Sequence, residues 1–176
     1  MSNENKDLSV IALPGYHPEI GRWLWALEDT RRDTLKSLDG LTDNDLDSLP
    51  PGGDNNIGAL LYHIAIVEVG WLYFQVLEGK KPFPPGFGAL FPVNAVDEQE
   101  RLTNLQGVSL QEHLQRLEKV RANLMEEFRG MSIEDFRRLR YLPEENVTPE
   151  WVLHHLIQHE AEHRGQIQTL RHLLGK

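Results

Sequence analysis

The sequence predicts an all-α protein, a four-helix bundle with a long loop between its second and third helices. Three observations predict it. Four segments of roughly 20 residues repeat their apolar side chains at helical spacing. No run sustains the in-out alternation of a half-buried strand, and no hairpin turn sits between β-rich runs. Each helix has one apolar face, and four such faces are best buried against one another.

The 176 residues read as a single domain, 1–176, with residues 1–15 as an extended or flexible N-terminal segment. A chain of this size buries about two-thirds of its unfolded surface without staples. The first helix starts near Pro18, suited to a first turn, and His17 before it reads as a cap. It runs through Ile20, Trp23, Leu24, Leu27, Thr30, Leu35 and Leu38 and stops at Gly40. Leu41 to Asn56 is a connection carrying Pro50-Pro51-Gly52-Gly53, with a short turn at Thr42–Leu46. Asn55 or Asn56 caps a second helix from Ile57 to about Leu77, ended by Gly79 and Pro82.

The stretch Lys80–Gly107 is rich in proline, yet Phe83, Phe87 and Phe91 favour a packed loop over a linker, and it is expected to wall the functional pocket. Ser109 with Glu112 makes a capping box for the third helix, which continues through Leu114, Leu117, Val120, Leu124 and Phe128. Ser132–Phe136 reads as a further short helix. Thr148-Pro149-Glu150 joins a cap, a first-turn proline and an acid at the positive helix end. The fourth helix runs from there to about Leu174 and stops at Gly175.

Composition removes several function classes. With no cysteine, disulfides and thiolate metal sites are excluded, and a cytoplasmic protein is expected. The opening MSNENKDLSV lacks the basic and apolar regions of a secretory signal. The longest apolar stretches read as too short and interrupted to span a bilayer. A net charge of −9 argues against a nucleic-acid backbone as partner. Arg31-Arg32 and Arg137-Arg138 read as solvated helix surface.

The chemistry concentrates in the fourth helix. His155, His159 and His163 stand four residues apart, hence on one helical face. At about 100° per residue, they share a sector about 120° wide with Val152, Leu156, Gln166, Ile167, Leu170 and Leu173. A buried imidazole without a partner costs a few kcal/mol, so histidines on an apolar face ask for a ligand. A catalytic zinc-like site needs three protein donors and one open position. His159 and His163 supply two. The best third donor is His63, on the second helix among Ala59, Leu60, Ile66, Val67 and Trp71. His155 stands as an alternative ligand or a supporting group. His154, His113 and His172 read as surface residues. The letters His159-Glu160-Ala161-Glu162-His163 spell the HExxH zinc-protease motif, but Glu160 falls outside the sector and no third ligand follows at protease spacing. That spelling reads as accidental.

Asn56-Ile57-Gly58, Leu60-Leu61-Tyr62-His63, Glu68 and Trp71, together with His159-x-x-x-His163-Arg164-Gly165-Gln166-Ile167, resemble the DinB-like family (DinB/YfiT-like metalloenzymes, distinct from the DNA polymerase of similar name). The resemblance is close over the second and fourth helices; the first and third match only as amphipathic helices. It implies a four-helix bundle that holds a divalent ion, commonly zinc or nickel, on His63, His159 and His163. It also implies a thiol S-transferase or thiol-dependent isomerase acting with bacillithiol, mycothiol or a related small thiol. Gln166, and less directly Glu68 and Tyr62, are expected beside the ligands, Gln166 as a hydrogen-bond donor. Arg164 is expected at the surface, and no catalytic acid or base is evident. A non-catalytic metal-binding bundle with a stress-related or structural role, and a metal-dependent hydrolase, are the competing readings. The partner expected is a small molecule, not a nucleic acid or membrane. Exposed apolar residues on the first helix, such as Trp25, make a homodimer a further expectation.

Overall fold

Capping residues set the helices close to where the sequence places them. The structure, a computed structural model, describes residues 8–50, 52–98, 101–143 and 145–176. Of the N-terminal segment expected to be extended, residues 1–7 lie outside the described residues. Helix α1 spans Pro18–Lys36, and the His17 ring accepts a hydrogen bond from the Glu19 N–H at 3.3 Å. Helix α2 (Asp43–Asp47) opens on a capping box between Thr42 and Asp45. Helix α3 (Ile57–Gly70) starts where the Asn56 side chain accepts from the Ala59 N–H at 2.7 Å. Helix α4 (Leu110–Arg129) carries the expected Ser109–Glu112 box, and α5 (Ile133–Arg137) is capped by Ser132. Helix α6 runs from Pro149 to Leu173 behind Thr148. In each case a side-chain oxygen or ring nitrogen satisfies an N–H that the first helical turn leaves without a partner.

Two elements depart from expectation. The second long helix is not α-helical throughout: Trp71–Val76 forms a π-helical turn. The run Trp-Leu-Tyr-Phe-Gln-Val is bulky and poor in strong helix formers, so the tighter α ladder holds it weakly. Between α5 and α6, Arg140–Tyr141 (β1) pairs antiparallel with Asn146–Val147 (β2). Two residues per strand are too few to show an alternating pattern in sequence.

Four long segments carry the core: α1, α3 with its π-helical extension, α4 and α6. Helix α1 lies against α6, α6 against α3, and α3 against α4. The fourth seam, between α1 and α4, is bridged by two arginines. Arg31 donates to the Leu117 carbonyl at 3.1 Å, and Arg121 donates to the Leu27 carbonyl at 3.1 Å. Both guanidiniums are buried, contrary to the surface role the sequence assigns Arg31; its neighbour Arg32 is the exposed one.

The two arginines meet two buried carboxylates. Arg31 reaches Glu160 at 2.6 and 3.1 Å and Glu68 at 3.0 Å. Arg121 reaches Glu68 at 2.8 and 2.9 Å, Glu160 at 3.0 Å and Glu28 at 2.7 Å. Each long segment thus contributes one member: Arg31 from α1, Glu68 from α3, Arg121 from α4 and Glu160 from α6. Burial alone would raise the Glu160 carboxyl, but Arg31 and Arg121 outweigh it and hold its pKa below the usual carboxylate range.

Around this centre the packing is close. A Cβ on Gly21 would lie 2.9 Å from the backbone N and O of Leu13, so glycine is what lets the N-terminal segment dock on α1. Trp25 is half-buried, with the Arg32 guanidinium 5.7 Å above its ring. Contrary to expectation, Ile57–Val76 is long and apolar enough to cross a membrane by length and composition, with a mean hydropathy of 1.6. Its apolar surface is spent inside the protein, where 67% of its most apolar 18-residue window is buried.

Removing one member of the central network leaves an opposite charge buried without its partner. Arg121→Met is expected to lower unfolding free energy by about 3–5 kcal/mol in urea titrations. Replacing Arg31, Glu68, Arg121 and Glu160 together with apolar residues of similar size is expected to cost much less, because no charge is stranded.

Candidate metal centre

His63 projects from α3 toward α6, where His159 and His163 stand one turn apart. The Nε2 atoms of His159 and His63 are 3.2 Å apart, and those of His163 and His159 are 3.1 Å apart. One ligating atom from each of the three residues falls within 4.8 Å of the others. Donors at about 2.0–2.1 Å from one ion stand about 3.3 Å apart in a tetrahedral array and about 3.0 Å apart in an octahedral one. The two Nε2 spacings at His159 therefore match those of ligands on a common ion. The rings are partly buried, so they face one another while one side stays open.

The chain matches the DinB superfamily over residues 26–167, most of its length. It belongs to the DinB superfamily. A crystal structure of a conserved protein from Enterococcus faecalis is similar in fold, with a TM-score of 0.65 at 18% identity, covering 88% of this chain and 96% of that one. No curated protein matches the sequence.

In this DinB-superfamily chain the ring nitrogens are prepared as donors. Burial first, then repulsion from His163, lowers His63 from 6.5 to about 4. Burial, then His163, His63 and His155, lowers His159 to about 3, with Glu160 only partly offsetting them. Both imidazoles are thus neutral at neutral pH, the form a metal requires. His163 Nδ1 lies 2.9 Å from the Gln166 carbonyl oxygen. Gln166 accepts there instead of donating as expected, and that bond fixes the tautomer that turns the His163 Nε2 lone pair toward the other two rings. The buried Nδ1 of His63 has no hydrogen-bond partner among the described residues.

An aromatic group flanks the cluster. His155 stacks on Trp151 with centroids 5.2 Å apart and lies 4.5 Å from Trp71, while its distance to His159 is 5.8 Å. The structure thus sets His155 beside the triad, outside the convergence of the other three.

Several neighbours sit elsewhere than the sequence implies. Glu160 is buried, not turned outward, because the buried sector of α6 centres on Leu153, Leu156, Glu160 and Ile167 with the histidines at its edge. Its carboxylate faces the arginines, so the HExxH spelling supplies no base. Glu68 is held by Arg31 and Arg121, and the Tyr62 hydroxyl donates to the Val93 carbonyl. Neither touches the triad. Arg164 reaches Asp33 at 3.4 Å. His113, expected at the surface, is buried under Gly58 beside Arg116 at 3.0 Å, and burial lowers it to about 4. The loop from Lys80 makes its contacts with Asn56, Tyr62, Tyr73 and Arg116, while the rings beside the triad come from Trp71 and the start of α6. Apolar spacing finds the triad. The charged members of the core carry the same spacing, at 24-27-31 in α1 and 153-156-160 in α6, and were legible only by refusing to exempt charged residues from it.

Elemental analysis of tag-free protein is expected to give about one divalent ion per chain. His63→Ala or His159→Ala should abolish it, and Gln166→Leu should weaken affinity by about 10–100-fold. The lowered pKa values also fix a pH dependence for metal-free protein. Unfolded histidines take protons near pH 6.5, whereas the folded pair resists until about 4 and 3. Stability contributed by the neutral pair is present above about pH 6.5 and falls as pH drops from there toward 4. The melting temperature should follow, and His159→Leu should flatten that slope.

Proposed function

We propose that this chain is a divalent-metal-dependent enzyme, a transferase that activates a low-molecular-weight thiol for attack on an electrophile. The observation that carries the reading is the convergence of three imidazoles, with Nε2 spacings of 3.1 and 3.2 Å, on one partly open point. Four long helical segments supply the frame, read as a four-helix bundle; imidazole donors suit zinc, nickel, iron and copper alike, and the resemblance to DinB-like metalloenzymes favours zinc or nickel. A neutral donor set leaves a bound ion's charge uncompensated, so an anionic fourth ligand is favoured. When bound, such an ion lowers the pKa of a thiol at its open position and stabilises the thiolate as nucleophile.

The chain's own residues supply position, not proton transfer. Gln166 orients His163, and α6 holds His159 and His163 in register one turn apart. Trp71, Trp151 and His155 give an apolar flank against which an organic electrophile can lie. Glu68 and Glu160 are committed to arginines and unable to serve as a base. That favours a thiol, acidic enough to ionise on a metal unaided, over water, which in hydrolases is steered by a base. The chain contains no cysteine, so the sulfur comes from a small molecule.

A panel of small thiols assayed with an electrophile such as a haloarene or epoxide is expected to give conjugate only with metal-loaded protein. His159→Ala should lower the rate by about a hundredfold or more. Turnover of an ester or amide without added thiol would instead assign the site to hydrolysis. A metal-dependent rise in melting temperature with no turnover of either kind would leave the ion a structural one.

A further inference from the structure

Helices α1 and α6 run parallel, since Arg31 meets Glu160, Asp33 meets Arg164 and the Ser37 carbonyl meets Arg171 in ascending order along both. Their C-terminal ends therefore lie at one pole of the molecule. Between them opens a cleft of about 560 Å³, within the range of small-molecule sites. Lys36, Arg164, Arg171 and Lys176 line it. Against these four positive charges stand Asp33 inside the cleft and Asp45, which pairs with Lys176 from outside. Four against two leaves the cluster positive, on a chain whose net charge is −9. The two helix C-termini carry about half a negative charge each and offset part of that excess, not all of it.

The partners of these cations leave room for an anion. Asp33 is shared, taking Lys36 at 3.0 Å and Arg164 only at 3.4 Å. Arg171 has no carboxylate partner among the described residues. One of its N–H groups caps the carbonyl end of α1 at Ser37, which fixes the guanidinium while its charge stays uncompensated. Arg164, Gln168 and Arg171 stand four and three residues apart on α6 and so share one face, with His172 four beyond Gln168. Neither the Gln168 amide nor the His172 ring has a hydrogen-bond partner among the described residues. We propose that this cleft binds a small multivalent anion bearing phosphate or carboxylate groups. Guanidiniums take either group through paired N–H bonds, and Lys36 adds a point charge. The acidic remainder of the chain disfavours a nucleic acid or an anionic membrane, which would have to extend beyond the cleft. The site is independent of the metal reading, because Arg164 and Arg171 reach α1 whereas His159 reaches α3.

The test is calorimetric titration of the full chain, stripped of divalent ions by chelator so that no probe binds through a metal. The probes are pyrophosphate and citrate, with acetate at equal ionic strength as the singly charged control. The expected result is saturable one-to-one binding of at least one multivalent probe, about tenfold or more tighter than acetate. The tighter of the two identifies phosphoryl or carboxylate groups as the ones recognised. Gln168 is exposed, so substitutions there read the charge of the cleft and spare the fold. Gln168→Glu should weaken binding about tenfold and Gln168→Arg should tighten it about three- to fivefold, with neither lowering the melting temperature. Absence of binding, acetate binding as tightly, or an affinity unmoved by both substitutions overturns the proposal. So does tighter binding of a single-stranded oligonucleotide or of phosphatidylserine vesicles, which would make the cleft part of a larger surface.

Discussion

The molecule is organised around four charges in its centre. Arg31, Glu68, Arg121 and Glu160 each come from a different long segment, and the bonds between them run from 2.6 to 3.1 Å. Apolar contacts hold the segments together, but they tolerate sliding and rotation in a way that bidentate arginine–carboxylate pairs do not. The network therefore fixes rotation and register. Because Glu160 must face the arginines, His159 and His163 are turned to the edge of the core, where they meet His63 across the α3–α6 seam. Because Glu68 must do the same, the face of α3 that carries His63 is set as well.

The same pairs shape the electrostatics of the histidine cluster. Carboxylates one and five residues from ligating positions would ordinarily raise neighbouring imidazole pKa values and favour the charged ring. Committed to guanidiniums, Glu160 offers His159 only partial compensation, and burial wins. Three rings turned toward one another bring more lone pairs together than the protons of neutral imidazoles can satisfy, and a cation would accept them. The orphaned Nδ1 of His63 adds to that imbalance. Such a cluster is readily explained as a site held open for a cation, and less readily as packing.

Much of this was legible in the residues. Asn56, Ser109, Ser132 and Thr148 announce their helices by chemistry that acts within one turn, so no tertiary knowledge is needed. His63, His159 and His163 stand out because an imidazole on an apolar face is costly. The central network was not read for the opposite reason. Each of its members is a residue type usually found at the surface, and only the pairing of two positive with two negative stripes makes burial affordable. Arg31 is hidden further by adjacent Arg32, which does face water. His113 escaped because the feature that shelters it, the missing side chain of Gly58, lies 55 positions away. The long loop's destination likewise depends on contacts with Tyr62 and Arg116 that no local pattern encodes.

The π-helical turn at Trp71–Val76 has a consequence for how the chain can change length. A π turn holds one residue more than the α-helix it interrupts. Elsewhere in a core helix, deleting a residue rotates everything beyond it by about 100° and swaps buried for exposed faces. Here a deletion would close the wide turn into ordinary helix. The slack lies downstream of His63 and Glu68, so such a shortening would leave their register intact and be absorbed by Glu78 and Gly79, which already leave the helix at positive φ. The segment is a built-in point of tolerance, placed where the loop can vary in length without disturbing the residues that face α6.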